Sequence, residues 1–117
     1  MPIETRILLV EDSENDAMIL EWELKRGGLT TTLKRVDTLG ALKEEIARGG
    51  YDLVISDYVL PSFTGIYALQ LVRNKDETLP FILLSGKIGE ETAVEAIRGG
   101  ANDYIMKDNM ALSLIHI

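Results

Sequence analysis

An α/β fold built on a doubly wound parallel sheet is predicted by three features of this 117-residue sequence. Short aliphatic or β-branched runs recur along its length, five in all. The four intervals between them each carry apolar residues at helical spacing. Three of those intervals close on a basic residue followed by a glycine pair. Strand–helix alternation with crossovers this short makes the strands parallel and puts helices on both faces of the sheet.

The elements follow in order. Arg6-Ile7-Leu8-Leu9-Val10, Leu53-Val54-Ile55-Ser56 and Phe81-Ile82-Leu83-Leu84 are almost wholly apolar, as strands buried on both faces must be. Thr31 to Val36 and Asp103 to Met106 are shorter of apolar side chains and complete the set. Ala17, Leu20 and Leu24 mark a first helix over Asp16 to Arg26, with Ser13-Glu14-Asn15-Asp16 resembling a capping box at its start. Leu39, Leu42 and Ile46 mark the second helix, Ala68, Leu69 and Val72 the third, and Ala93, Val94 and Ile97 the fourth. Met18 and Trp22 on the first helix are expected to pack. Arg26-Gly27-Gly28, Arg48-Gly49-Gly50 and Arg98-Gly99-Gly100 end helices, the cation facing the negative end of the helix dipole and glycine free to turn left-handed. Glu90 and Glu91 suit the positive start of the fourth helix. Pattern alone does not fix the strand order; the flavodoxin-like order 2-1-3-4-5 is one of two common solutions, with ligands gathering at the carboxyl ends between strands one and three.

Composition narrows the chemistry. Twelve Lys and Arg against nineteen Asp and Glu leave a net charge of −7, a poor match for direct binding to nucleic acid or anionic lipid. With no cysteine and a single histidine, His116, thiolate metal sites, cysteine nucleophiles and His-based triads are excluded. No apolar run is long enough for a membrane span and Met1 to Arg6 carries no signal-peptide pattern, so a cytoplasmic location is expected.

What stands at the carboxyl ends of the strands is polar. The first strand runs into Glu11-Asp12, the third into Asp57, the fourth into Ser85-Gly86-Lys87 and the fifth into Lys107. In the order 2-1-3-4-5, three carboxylates would converge beside a hydroxyl and a lysine. Converging carboxylates repel, and a hard divalent cation relieves that repulsion; an all-oxygen donor set points to Mg²⁺. A cation beside a carboxylate, a hydroxyl and a lysine suits phosphoryl transfer, and a carboxylate can be the nucleophile. Taken singly, each residue has a plainer reading: a solvated turn, a helix cap, a core aromatic. Together those readings would need several coincidences at one edge of the sheet.

Glu11-Asp12, Asp57, Leu60-Pro61-Ser62-Phe63-Thr64-Gly65, Ser85 and Tyr104-Ile105-Met106-Lys107 resemble the receiver domain of two-component response regulators, over about Ile7 to Lys107. The resemblance implies the strand order 2-1-3-4-5 and a phosphoryl group accepted by Asp57 from a histidine kinase or phosphotransfer protein. It implies Mg²⁺ held by Asp12, Asp57 and the backbone carbonyl of Val59, with Glu11 acting mainly through bound water. It also implies that Lys107 pairs with the phosphoryl oxygens, that Ser85 hydrogen-bonds to them after a loop shift, and that Tyr104 turns inward into the space Ser85 leaves. Such a domain is not an enzyme beyond its own phosphorylation and slow dephosphorylation. An apolar Val59 two residues past Asp57 cannot position water, which fits slow hydrolysis.

Two other functions use the same residues. A carboxylate-nucleophile phosphohydrolase would want a second carboxylate where Val59 stands. A phosphorylation-independent interaction module would not need the acidic pair, Asp57 and Lys107, all of which are present. No helix-turn-helix is visible, and the fifth-strand motif resembles receivers fused to sensor and kinase modules, so further sensor, kinase or output domains in a longer chain are expected.

The end of the chain departs from the family. Lys107-Asp108 replaces the usual Lys-Pro, where a cis bond would cost ~3 kcal/mol. The fifth helix is missing or incomplete. Leu112-Ser113-Leu114-Ile115-His116-Ile117 matches the translation of a transposon-end adapter used in sequencing libraries. Residues 1–111 are therefore read as the receiver domain and 112–117 as a non-native tail, leaving His116 without a role. Without a fifth helix, the apolar flank of the first helix and one sheet face are expected to be partly uncovered, and the fold to be marginal.

Overall fold

Parallel strands covered on both faces must be apolar along their length, and the three richest apolar runs occupy the middle of the sheet. The computed structural model describes residues 4–86 and 95–106. Strands β1 (Thr5–Val10), β2 (Thr31–Val36), β3 (Leu53–Asp57), β4 (Phe81–Ser85) and β5 (Asp103–Met106) form one sheet in the order β2-β1-β3-β4-β5, every pair parallel. Helices α1 (Glu14–Arg26), α2 (Leu39–Arg48) and α3 (Gly65–Lys75) fill the crossovers, and a helical turn over 95–98 leads into β5. The flavodoxin-like doubly wound sheet expected from the sequence is the fold. The signals at Glu90, Glu91, Ala93 and Val94, the fifth helix, and everything expected of residues 107–117, Lys107 included, lie outside the described residues.

Strand alternation divides the core in two. Ile7, Leu9, Ile55, Ile82, Leu84 and Ile105 point to the face that packs against Ala17, Leu20 and Leu24 of α1. Leu8, Val10, Val54, Phe81 and Leu83 point to the opposite face, against Leu42 of α2 and Ala68, Leu69 and Val72 of α3. The edge strand β2 alternates between half-buried and exposed positions up to the buried Val36, which is why it can carry Thr32 and Lys34 on the exposed side and a half-buried Arg35 on the other.

The helix ends follow their chemistry. Ser13, Thr38 and Thr64 cap α1, α2 and α3, each hydroxyl accepting a backbone N–H of the first turn, from Asp16, Ala41 and Tyr67. At the end of α1 the left-handed turn falls on the second glycine: Gly27 stays helical at φ −75° and Gly28 takes φ 87°. Arg73 of α3 staples the two loops at the opposite end of the sheet from those caps. Its guanidinium donates to the carbonyls of Leu79 and Gly100 and to Oδ1 of Asn102, at 2.6 to 2.9 Å. Asn102 Oδ1 also accepts the N–H of Phe81, so one side chain registers the starts of β4 and β5.

Two expectations need correcting. Met18 and Trp22 do not pack into the core; they are 69 % and 57 % exposed on the outer flank of α1, where the Arg26 guanidinium lies 4.9 Å from the Trp22 ring centre. That flank is uncovered as anticipated. The sheet face is not: Ile82, Leu84 and Ile105 are buried.

Candidate functional site

Strand register brings the acidic residues together. Val10 pairs with Ser56, so the next residues along, Glu11 and Asp57, stand level at adjacent strand ends, and neighbouring strands lie only about 4.8 Å apart. Asp57 is the last residue of β3, half-buried at its tip, with its carbonyl accepting the Ser56 hydroxyl at 2.9 Å. Glu11 is buried, Asp12 exposed, and one carboxylate oxygen from each of Glu11, Asp12 and Asp57 lies within 4.8 Å of the others.

Backbone bonds hold this arrangement. The Glu11 N–H donates to Val36 O at 3.0 Å, which ties the end of β1 to the end of β2. The Ser13 N–H donates to Glu11 Oε2 at 3.3 Å, and the Ser13 hydroxyl caps α1, so the turn bearing Asp12 is fixed on both sides. On the other strand, Tyr58 N–H donates to Leu84 O at 2.8 Å and Gly65 N–H to Tyr58 O at 2.7 Å. These bonds fold the β3–α3 loop back under Asp57. Gly65 is required there. A Cβ on it would collide with the Asp57 carbonyl oxygen and stand 2.5 Å from a Leu83 methyl. Val59, whose carbonyl the family resemblance would give to the metal, lies on this loop two residues past Asp57. Its backbone pairs with Thr64 and its side chain points to solvent.

Ser85 closes β4, fully buried beside the site. Tyr104, on the neighbouring strand, already points inward. Its hydroxyl is buried, without a well-formed hydrogen bond among the described residues. Burial pushes the phenol pKa upward, and the adjacent Ser85 hydroxyl opposes that rise. The structure thus brings together Glu11, Asp12 and Asp57, with Ser85 and Tyr104 on the next two strands.

One residue beside the site has no counterpart in the sequence reading. Arg35, at the end of β2, donates to the Glu11 carbonyl at 3.1 Å and reaches Glu14 Oε1 at 3.4 Å. An isolated basic residue on an edge strand reads as solvated charge, and only the sheet order places it next to the acidic pair.

Chemically, three carboxylates this close repel unless a cation joins them. The all-oxygen donor set and the mixture of buried and exposed acids, which leaves room for water, fit a hard divalent ion of the Mg²⁺ kind and not a zinc or copper site.

The sequence matches the response regulator receiver domain family over residues 7–117. It is 39 % identical over 101 residues to the transcriptional regulatory protein YkoG of Bacillus subtilis, covering 86 % of this chain and 43 % of that protein. Identity to the response regulator ArlR of Staphylococcus haemolyticus is 33 %, over 88 % of this chain and 46 % of that one. The chain therefore spans less than half the length of these relatives. Among solved structures, a response regulator receiver domain from Rhodospirillum rubrum superposes with a TM-score of 0.80 at 27 % identity, covering 96 % of this chain and 89 % of that one. Receiver domains are signalling domains rather than classical enzymes, and among the described residues no helix is long and apolar enough to cross a membrane. A sheet in the order β2-β1-β3-β4-β5, acids at the ends of β1 and β3, and a family match across nearly the whole sequence agree: this chain belongs to the response regulator receiver domains.

Proposed function

We propose that this domain accepts a phosphoryl group on Asp57 and changes conformation in response. The observation that carries the reading is the convergence of Glu11, Asp12 and Asp57 within 4.8 Å at adjacent strand ends. A carboxylate oxygen of Asp57 attacks phosphorus in line, an acyl phosphate bond forms, and the P–N bond of a phosphohistidine on a partner kinase or phosphotransfer protein breaks. The departing imidazole regains its proton from water. Asp12, Asp57 and the Val59 carbonyl would hold Mg²⁺, with Glu11 acting through water; when bound, the ion would neutralise charge on the phosphoryl oxygens. Lys107 pairs with the product phosphoryl group, Ser85 hydrogen-bonds to it, and the inward Tyr104 follows Ser85. In the full-length protein, sensor, kinase or output domains would read the change, in the cytoplasm. A net charge of −7 is a poor match for direct binding to nucleic acid.

Intact-mass spectrometry after incubation with acetyl phosphate tests this. One phosphoryl adduct is expected in the wild type, none in Asp57→Asn, and none after chelation of divalent ions. Equal labelling of wild type and Asp57→Asn would overturn the assignment. A phosphorylation-independent module would give no adduct at all.

A further inference from the structure

Asp12 is the most exposed of the three clustered acids, and the bonds that fix its turn fall on its neighbours Glu11 and Ser13. Glu11 is held from β2 through both of its backbone polar groups, and the second of these bonds falls on the peptide that joins it to Asp12. Val36 O accepts the Glu11 N–H at 3.0 Å, and Arg35 Nη1 donates to Glu11 O at 3.1 Å. The same guanidinium reaches forward to Glu14 Oε1 in the first turn of α1, 3.4 Å away, and back to Asp37 Oδ2, 3.6 Å away. Its side chain is 29 % exposed, so solvent reaches it without removing it from the cluster. One planar fork therefore joins the β1–α1 turn, the start of α1 and the β2–α2 connection, all at the rim of the acidic site.

We infer that Arg35 is a positioning residue for the cation site: through the Glu11 carbonyl it sets where Asp12 presents its carboxylate. The inference rests on the metal reading above and goes beyond it, because Arg35 touches neither cation nor phosphoryl group. Its charge and its geometry push in opposite directions. As a positive charge beside three carboxylates, Arg35 disfavours a cation, so losing it should tighten Mg²⁺ binding. As a clamp on the Glu11–Asp12 peptide, it favours binding. Partners that orient metal ligands commonly matter by tenfold or more, and Lys, a point charge, cannot reproduce a three-way fork.

The test is Mg²⁺ titration followed by backbone amide shifts, on wild type, Arg35→Lys, Arg35→Gln and Asp12→Asn, each checked by thermal melting. Amide positions of Glu11, Asp12 and Ser13 in metal-free protein supply a readout independent of the ion. Expected is a loss of affinity of about tenfold in Arg35→Gln and of severalfold in Arg35→Lys, with those three amides displaced in both before any metal is added. Tighter binding in Arg35→Gln with unchanged affinity in Arg35→Lys would mean that charge alone acts, and would overturn the inference. So would unmoved amides. If Asp12→Asn binds as well as the wild type, the metal reading fails first and the inference falls with it. Should Arg35→Gln melt below the working temperature, the Lys variant decides.

Discussion

Three carboxylate oxygens lie within 4.8 Å of one another, and each arrives there by a different route: Glu11 buried and accepting from Ser13, Asp12 carried out on a turn, Asp57 at the tip of a strand. The reading predicts a division of labour that single substitutions can separate. Lys107→Ala should leave acetyl phosphate labelling of Asp57 largely intact while shrinking the amide-shift response to phosphorylation. A charge-assisted hydrogen bond contributes about 1.5–3 kcal/mol, roughly 10- to 150-fold in a two-state equilibrium, so its loss should strand the labelled protein in the resting conformation. A full conformational response in Lys107→Ala would remove the lysine from the switch. The Glu11, Asp12 and Asp57 trio was legible from sequence because Glu11-Asp12 ends one strand run and Asp57 another. The Arg35 contact was not, since the strand order alone does not say which side chain of β2 reaches across to the β1–α1 turn. Neither were the exposed positions of Met18 and Trp22: apolar residues one turn apart on a helix look alike whether they face the sheet or the solvent.

Elements impose their own limits on the site. The β3–α3 loop can double back under Asp57 only because Gly65 has no side chain there. Gly65→Ala drives a methyl into the Asp57 carbonyl and Leu83, and forced packing of this kind costs about 1–3 kcal/mol. Urea melts should show that loss, and phosphoryl transfer to Asp57 should slow beyond what stability alone explains. Wild-type behaviour in both would mean that the loop relaxes freely. At the far end of the sheet, the Tyr51 hydroxyl donates to Glu45 Oε1 at 2.6 Å and ties α2 to the approach of β3. That bond holds the Glu45 carboxyl below its ordinary range, while burial first and the carboxylate second push the Tyr51 phenol from 10.0 to about 12. The lowered carboxyl stabilises the fold above its unfolded pKa and loses that contribution as pH falls through the folded value. The raised phenol stabilises below pH 10 and loses its contribution as pH climbs toward 12. Tyr51→Phe should therefore be less stable at neutral pH, and its stability should fall less steeply at both the acid and the alkaline extreme. Parallel pH–stability curves for the two proteins would refute the coupling. Sequence marked the helix caps at Ser13 and the closing glycines well, because caps are local chemistry. It could not mark the Tyr51–Glu45 bond or the Arg73 staple, which join residues that only the folded chain brings together.

At the scale of the whole molecule, the strand order does more than gather acids. β1, β3 and β4 are paired on both sides, whereas β2 and β5 are paired on one. Local opening costs least where the fewest bonds must break. Amide hydrogen exchange followed by NMR should accordingly be slowest at Leu8, Leu9, Ile55 and Leu83, and faster along β2 and β5. Exchange on β2 as slow as on β1 would contradict the ordering. Glu11, Asp12 and Asp57 hang from two of the three strands paired on both sides, while Tyr104 sits on an edge strand expected to open earlier. A brief fraying of β5 would then release the aromatic side of the site and leave the acidic side assembled, so on the proposed function the domain would change the shape it shows a partner without dismantling the place where phosphate would be received.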